Sequence, residues 1–348
     1  MNGHQIRSVR SASTTFDGNS LSVLSGGKVA VQGGTSGVRD TIDDLRLYGG
    51  GILTTTTDWG NNLYGAITVL GSSANPAIYE TAWASTSTEK SGRWLTIYAR
   101  ISGRGSMLCR YQDAAFDVSH PAGLNLRGDN TDFTGEWQIM HPAAKATFSS
   151  AANFGSASAL VFNSNGIFRV QGGTFAISAP VIVRNVGSVS GSEDLTNGGT
   201  IEVDDGQTLT VNGVVSGAGI LRKTGTGTLL LNAENTISGN VVVRQGSIGG
   251  AGKVTSLELA GGTGIDVSAA QAAPFEIGTL VVDGSIVLNI RDAADVDFER
   301  IAVAKVGTLT GTLGDVRATV GNRHAAYNLS IEGGLLYATK KGTAISIR

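Results

Sequence analysis

Three-residue segments of the form apolar–polar–apolar recur along almost the whole chain, and short glycine-rich segments separate them. In an extended conformation, each of these segments places two apolar side chains on one face and a polar one on the other, which is typical of a half-buried strand. The glycine-rich segments supply the positive φ angles of tight turns. The pattern predicts many strands of three to five residues, at Leu21/Val23, Val29/Val31, Leu45/Leu47, Ile67/Val69, Leu95/Ile97, Leu124/Leu126, Ile201/Val203, Leu209/Val211, Leu257/Leu259, Ile265/Val267 and Leu329/Ile331.

Helical periodicity is weak throughout. The closest approach is residues 142–152, PAAKATFSSAA, which we interpret as a short helical turn or a loop. Short strands at close spacing leave two architectures, an antiparallel sandwich or barrel and a coiled stack of parallel strands. Sandwiches need longer strands and more aromatic core, whereas a narrow coil favours Val, Ile, Leu and Ala inside and glycine or asparagine at its corners. The pattern therefore predicts an all-β solenoid, with successive coils ~4.8 Å apart.

Internal repetition supports the coiled stack. Residues 124–135 and residues 229–239 both read apolar-x-apolar-x-x-acid-Asn-Thr and close on glycine, and an alternating strand follows each copy. We expect the two copies to occupy equivalent positions several coils apart.

Composition narrows the class of protein further. Glycine supplies 50 of the 348 residues, about twice the ~7% of an average soluble protein. The 26 basic and 28 acidic residues are scattered, without the basic stripe of a nucleic-acid binder. No apolar run is long enough for a membrane helix. Cys109 is the only cysteine, which excludes an internal disulfide, and we expect it to be a small buried residue.

Residues 217–250, GAGILRKTGTGTLLLNAENTISGNVVVRQGSIGG, resemble the passenger-associated transport repeat of bacterial autotransporters, which runs roughly G-x-G-x-L-x-K-x-G-x-G-T-L-x-L-x-x-x-N-x-[YF]-[TS]-G-x-T-x-V-x-x-G-x-L. Ile237 replaces the usual aromatic residue and Ile248 the usual leucine, and residues 124–139 resemble a weaker second copy. The residues that match are Gly217, Gly219, Leu221, Lys223, Gly225, Gly227, Thr228, Leu229, Leu231, Asn235, Ser238, Gly239, Val243 and Gly246.

The resemblance implies a single-stranded, right-handed parallel β-helix of the pectate-lyase-like type, within the passenger of an exported bacterial surface protein. We expect one continuous β-helix over residues 1–348, with a loop-decorated, aromatic-rich part to about residue 140. A regular repeat-bearing part would follow to about residue 305, and residues 306–348 would cap the stack. Residues 1–13 lack the apolar segment of a secretory signal, so we expect the signal upstream of them.

The function that follows from this resemblance is a non-catalytic passenger or stalk, monomeric and without a cofactor, metal site or nucleic-acid partner. It would present adhesive surfaces to a glycan or to a component of a host or neighbouring cell. Two alternatives stay open. One is a polysaccharide lyase or glycosidase on the same fold, and the other is a glycan-binding module.

Carboxylate pairs are the candidates for acid–base or calcium chemistry. They are Asp43/Asp44, Asp204/Asp205 and the group Asp292, Asp295 and Asp297, and ordinary turn chemistry explains them at least as well. The histidines lie far apart and without metal-ligand spacing, at positions His4, His120, His141 and His324.

Aromatic residues are unevenly distributed. All four tryptophans and five of the seven tyrosines lie in the first 140 residues. The binding interpretation has Trp59, Trp83 and Trp94 stack on sugar rings or anchor a partner, and the packing interpretation has them hold long loops onto the coils. Residues 71–115 interrupt the strand-and-turn rhythm most, so we expect any functional decoration there.

Overall fold

The fold is nearly all β. The computed structural model describes residues 5–8, 12–16, 18–33, 38–55, 61–81, 93–111, 121–185, 197–268, 274–291, 299–313, 315–320 and 323–341. These ranges hold many short strands and one helix of four residues. In chain order the elements are β1 (Gln5–Arg7), β2 (Thr14–Phe16), β3 (Leu21–Val23), β4 (Lys28–Val31), β5 (Asp40–Leu47), β6 (Ile52–Thr55), β7 (Asn61–Val69), β8 (Ala77–Thr81), β9 (Trp94–Ile97), β10 (Arg100–Ser102), β11 (Met107–Tyr111), β12 (Ala122–Leu126), β13 (Glu136–Met140), β14 (Ala144–Phe148), α1 (Ala151–Phe154), β15 (Ala159–Asn163), β16 (Ile167–Val170), β17 (Phe175–Ile177), β18 (Val181–Val183), β19 (Gly198–Val203), β20 (Thr208–Val211), β21 (Val215–Ser216), β22 (Ile220–Thr224), β23 (Thr228–Leu231), β24 (Val241–Val243), β25 (Ser247–Gly249), β26 (Lys253–Leu259), β27 (Gly264–Ser268), β28 (Phe275–Val282), β29 (Val287–Arg291), β30 (Arg300–Thr310), β31 (Asp315–Val320), β32 (Arg323–Glu332) and β33 (Leu335–Lys340).

Strand pairing is parallel from β1 to β31, and it joins each strand to one that lies a full rung further along the chain. A rung is one turn of the chain, from a strand to the strand that pairs with it, and the strands form three ladders. Ladder 1 runs β1-β4-β6-β8-β11-β13-β15-β18-β21. Ladder 2 contains β2, the first parts of β5 and β7, and then β9-β12-β14-β16-β19-β22-β24-β26-β28-β30. Ladder 3 contains β3, the second parts of β5 and β7, and β10, and it resumes as β17-β20-β23-β25-β27-β29-β31. This arrangement of long parallel sheets is compatible with a β-helix.

The core consists of apolar columns, because parallel in-register pairing puts like positions of successive rungs side by side. One column of ladder 1 contains Leu53, Tyr79, Cys109, Ile139 and Phe162, and all five side chains are buried. The alternation read from the sequence therefore corresponds to real inward and outward faces. The buried apolar residues form one cluster that extends from Val23 to Ala338.

The middle of ladder 3 is irregular. Between β10 and β17, the single pairing of Gly103 with Phe133 and the short helix α1 take the place of strands. An aromatic cluster fills the core beside this interruption, and Trp137 donates from Nε1 to the carbonyl of Phe154 at 2.8 Å. The cluster consists of Phe133, Trp137, Phe148, Phe154 and Phe168, with ring centroids 4.5 to 5.9 Å apart.

Two sequence interpretations are wrong here. The middle of residues 142–152 is strand β14, because Ala144, Ala146 and Phe148 alternate into the core, and the helix begins only at Ala151. The two repeat copies do not occupy equivalent positions. Residues 124–126 lie in ladder 2, whereas residues 229–231 lie in ladder 3. The same local turn, closed by an asparagine, is thus used at two different corners.

The C-terminal end of the stack has a different pairing. Strand β32 runs antiparallel to β31, β33 runs antiparallel to β32, and β33 also pairs with the first part of β30. The antiparallel hairpin β32–β33 thus pairs with β30 and β31, the last strands of ladders 2 and 3. At the other end, β1, β2 and β3 each have one strand neighbour among the described residues.

Candidate functional surface

The residues of the transport-like repeat lie at the inside and at the corners of the stack. The leucine and valine positions Leu221, Leu229, Leu231 and Val243 are fully buried. The side chain of Asn235 accepts from the amide of Val215 on the preceding rung and donates to the carbonyl of Lys253 on the following one. Asparagine at this position therefore ties three rungs together. The glycine positions Gly217, Gly225 and Gly246 have φ angles of 105°, 71° and 72°.

Lys223 stands at an apolar position of a core column, between Ile201 and Val243 on the neighbouring rungs. Its side chain is fully buried, and Nζ donates to the carbonyls of Thr224, Gly225 and Gln245 at 2.8, 2.6 and 3.1 Å. Burial lowers the pKa of Lys223 to about 7, and the attraction of Glu202 opposes that change. The three acceptors are all main-chain atoms of one corner, so the lysine stabilises the turn.

The candidate carboxylates are separated by the fold. Asp44 forms an ion pair with Arg46 at 2.8 Å on the outward side of β5. Asp204 receives two hydrogen bonds of 2.8 Å from Arg169, and Asp205 accepts from Thr226 at 3.1 Å. Residues 292, 295 and 297 lie outside the described residues. The carboxylates of Asp44, Asp204 and Asp205 therefore contact basic or hydroxyl partners and do not converge on a common point.

Ion pairs between rungs hold Glu80 and Glu202, whereas the buried Asp40 accepts a hydrogen bond from Ser8 at 2.8 Å. On ladder 1, Glu80 forms ion pairs with Lys28, at 3.0 Å, and with Arg110. Burial alone would raise the pKa of Glu80, but these two contacts hold it below its usual value. On ladder 2, Glu202 contacts Lys145 at 2.7 Å and Arg169 at 3.1 Å. The two arginines connect neighbouring strands, and the two lysines reach a carboxylate two rungs away.

Histidine and cysteine offer no metal or nucleophile site in the part of the chain described. No group of three or more His, Cys, Asp or Glu there could hold a metal ion. His141 stacks on Tyr111 with centroids 5.2 Å apart, and burial lowers its pKa to about 4. Cys109 is buried, as expected, and burial raises the pKa of its thiol to about 12. His4 and His120, and the side chain of His324, lie outside the described residues.

The three tryptophans proposed as ligand contacts are only partly described, because Trp59 and Trp83 lie outside the described residues. Trp94 begins β9 and is partly exposed. It shares the outward face of that strand with Thr96 and Tyr98, since Leu95 and Ile97 are buried. Trp137 packs in the aromatic cluster.

The outward face of ladder 2 carries a column of stacked side chains that the tryptophan pattern does not reveal. Tyr64 and Tyr98 follow paired residues of β7 and β9, and their rings are nearly parallel, at 8°, with centroids 4.8 Å apart. The guanidinium of Arg39 lies 5.1 Å from the centroid of Tyr64. Arg127 takes the next position of the column, because Leu126 pairs with Ile97. Arg127 donates to Gln171 at 3.2 Å.

A signal for this column does exist in the sequence. The segments Leu95-Thr-Ile-Tyr98 and Leu124-Asn-Leu-Arg127 have the same pattern, and aligning them places Tyr98 opposite Arg127. The alignment requires knowing that the two strands are neighbours, and the sequence does not show this because residues 99–123 separate them.

Comparisons with protein-family models, with curated proteins and with solved structures found no match. Within the described ranges, no helix has the length and apolar character needed to cross a membrane.

Proposed function

We propose that the three ladders are the faces of one right-handed, single-stranded parallel β-helix of the pectate-lyase-like type. The observation that supports it is the order of pairing, since from β2 to β11 and from β16 to β21 the chain visits ladders 2, 3 and 1 in turn before a strand meets its parallel neighbour. A parallel pair requires a crossover connection, and here the strands of the other two ladders supply it. Crossovers between parallel strands are right-handed in about 98% of cases, which favours the right-handed coil.

The function we propose is that of a non-catalytic passenger or stalk segment of an exported bacterial surface protein. Stacked rungs bury a narrow core and add a rung of backbone hydrogen bonds each, so a rod can grow without disulfides. The buried carboxylates Glu80 and Asp266 form ion pairs with basic residues of other rungs, so their charges stabilise the contacts between rungs. A polysaccharide-active enzyme would instead need carboxylates that converge on a groove.

Exposure on living cells tests the surface role. An antibody raised against this segment should label intact cells of the bacterium that carries the gene, because a passenger lies outside the outer boundary of the cell. An antibody against a cytoplasmic protein is the control and should label permeabilised cells only. Labelling of this segment that also requires permeabilisation would contradict the proposal.

A further inference from the structure

We propose that the outward face of β9 and β12 is a binding platform for an acidic saccharide, formed by Trp94, Thr96, Tyr98, Asn125 and Arg127. We call this set the aromatic platform. This proposal names a ligand for the scaffold of the proposed function. It rests on that proposed function in one respect, because β9 and β12 must be held in register by the stack.

The spacing of the two aromatic residues suits a chain of sugar rings. Trp94 and Tyr98 stand four residues apart on one face of an extended segment, so their Cα atoms are about 13 Å apart. Thr96 and Asn125 lie between them on paired positions, with Asn125 Nδ2 3.5 Å from Thr96 Oγ1. An aromatic group at each end and polar groups in the middle match the apolar ring faces and the hydroxyl groups of an oligosaccharide.

Gly123 keeps the platform open beside Trp94. It is the residue of β12 that pairs with Trp94, and it has no side chain to cover the indole. Trp94 is partly exposed although it begins a strand in the interior of the ladder. The residue that pairs with Trp94 on β12 therefore leaves the indole uncovered.

Tyr98 is held in place by its neighbours. Its side chain is 45% exposed, although its chain neighbours Ile97 and Ala99 are buried. One ring face lies against Tyr64, whose other side receives Arg39. Tyr98 therefore presents its remaining surface without the loss of rotamer freedom that a mobile side chain would incur on binding.

Arg127 supplies the charge that selects an acidic ligand. Its guanidinium reaches along the stack to Gln171, two rungs beyond Arg127, and so points away from the Tyr98 ring. Among the described residues, no carboxylate forms an ion pair with Arg127 or Arg39, whereas Lys145 and Arg169 are both paired with Glu202. A carboxylate on the sugar that follows the one stacked against Tyr98, in the direction of Gln171, can accept a hydrogen bond from Arg127.

Single-stranded nucleic acid is the main competing occupant, since bases also stack on aromatic rings beside arginine. Tracking a nucleic-acid backbone needs a positively charged groove. Arg39 and Arg127 lie at one end of the platform, and Glu202 and Asp204 lie further along the same face, so positive charge meets a ligand at one sugar and not along its whole length. This arrangement favours the saccharide.

The test is a titration of the whole protein, followed by calorimetry, with hexasaccharides of galacturonate, guluronate and sialate. Each is matched by its carboxyl-reduced, neutral counterpart. We expect at least one acidic hexasaccharide to bind, and its neutral counterpart to bind more weakly. The substitutions Tyr98→Ala and Arg127→Ala are each expected to weaken binding about tenfold.

Two control variants separate the platform from general effects. Tyr337→Ala removes a second tyrosine that lies under an arginine, Arg300 at 3.7 Å, and Arg244→Ala removes a positive charge that is paired with Glu258. Both should leave binding unchanged, and all four variants should keep the melting temperature of the wild type.

Four outcomes would overturn the proposal. They are absence of binding to all three acidic hexasaccharides, equal binding of the carboxyl-reduced forms, unchanged binding by Tyr98→Ala, and tighter binding of an oligothymidylate. Each of them would leave the surface labelling of cells unaffected, so failure of the platform is distinguishable from failure of the proposed function.

Discussion

The ammonium group of Lys223 shows at the scale of a single residue how a corner of the stack is stabilised. It occupies a position that is apolar on both neighbouring rungs, and it satisfies three main-chain carbonyls that the turn leaves without a strand partner. Leaving buried acceptors without a donor costs more than the mean value of a hydrogen bond. Lys223 of the transport-like repeat is therefore a structural residue, although a lysine in a strand would ordinarily be expected to be exposed.

Replacing this lysine with methionine should destabilise the protein. We expect Lys223→Met to lower the free energy of unfolding by about 2 kcal/mol, because the carbonyls of Thr224, Gly225 and Gln245 lose their donor. Urea unfolding followed by circular dichroism measures the change.

The control for that substitution is Lys305→Met, at an exposed lysine that contacts Glu276 at 3.1 Å. Exposed ion pairs contribute little, so this variant should unfold almost as the wild type does. A Lys223→Met variant at least as stable as the wild type would mean that the cost of burying the amine exceeds the gain from its hydrogen bonds.

Turns between strands are decided at the scale of the element, by close approach of one rung to the next. Gly217 follows β21 with a φ of 105°, and a Cβ atom there would lie 2.2 Å from the carbonyl oxygen of Val183 on the preceding rung. Gly206, in the turn after β19, has a φ of 68°, but no atom would lie within 4 Å of its Cβ. Both glycines have a positive φ, but only Gly206 has room for a Cβ atom.

A pair of alanine substitutions separates these two causes. Gly206→Ala should cost about 1–2 kcal/mol for the left-handed backbone alone. Gly217→Ala should cost about 1–3 kcal/mol more, because β21 must also move away from β18. Thermal and urea unfolding of both variants measure the difference, and equal destabilisation would show that the contact between rungs is not tight at this corner.

The regular part of the stack is modular at the scale of the whole molecule. On ladder 2, Gly199 pairs with Leu221 and Leu221 with Val241, and on ladder 3, Leu209 pairs with Leu229 and Leu229 with Ile248. Removing residues 221–240 therefore brings Val241 next to Gly199 and Ile248 next to Leu209, with apolar columns continuous. Stability of such stacks is approximately a sum over rungs and their interfaces.

Deletion of that one rung should leave a folded protein. We expect the variant lacking residues 221–240 to retain a strand-type circular dichroism spectrum and cooperative unfolding, with a length shorter by about 4.8 Å in small-angle scattering. The matched variant lacking residues 221–230 removes half a rung, which joins a ladder-2 strand to the end of a ladder-3 strand, and should not fold. If both deletions unfold the protein alike, the proposed β-helix is wrong.

The sequence by itself determined where the strands lie and which side chains they bury. The alternating segments at Leu95/Ile97 and Leu209/Val211 are strands with buried apolar residues, because period-two alternation is a local property that each strand satisfies alone. The expectation of glycine or asparagine at corners likewise agrees with Gly217 and Asn235, which both lie at corners. Parallel pairing is compatible with the predicted coil, whose handedness and class stay proposals.

Only the tertiary structure decided which strands are neighbours and what stands beside what across rungs. Val241 pairs with a residue 16 positions later, Leu257, whereas Val181 pairs with one 34 positions later, Val215. Because the rung length varies, sequence spacing does not give the register, and the two copies of the repeat were assigned to one corner although they lie at two. The stack of Tyr64 on Tyr98, and the position of Arg127 beside it, exist because hydrogen bonds between successive rungs bring distant residues to within ~5 Å of each other.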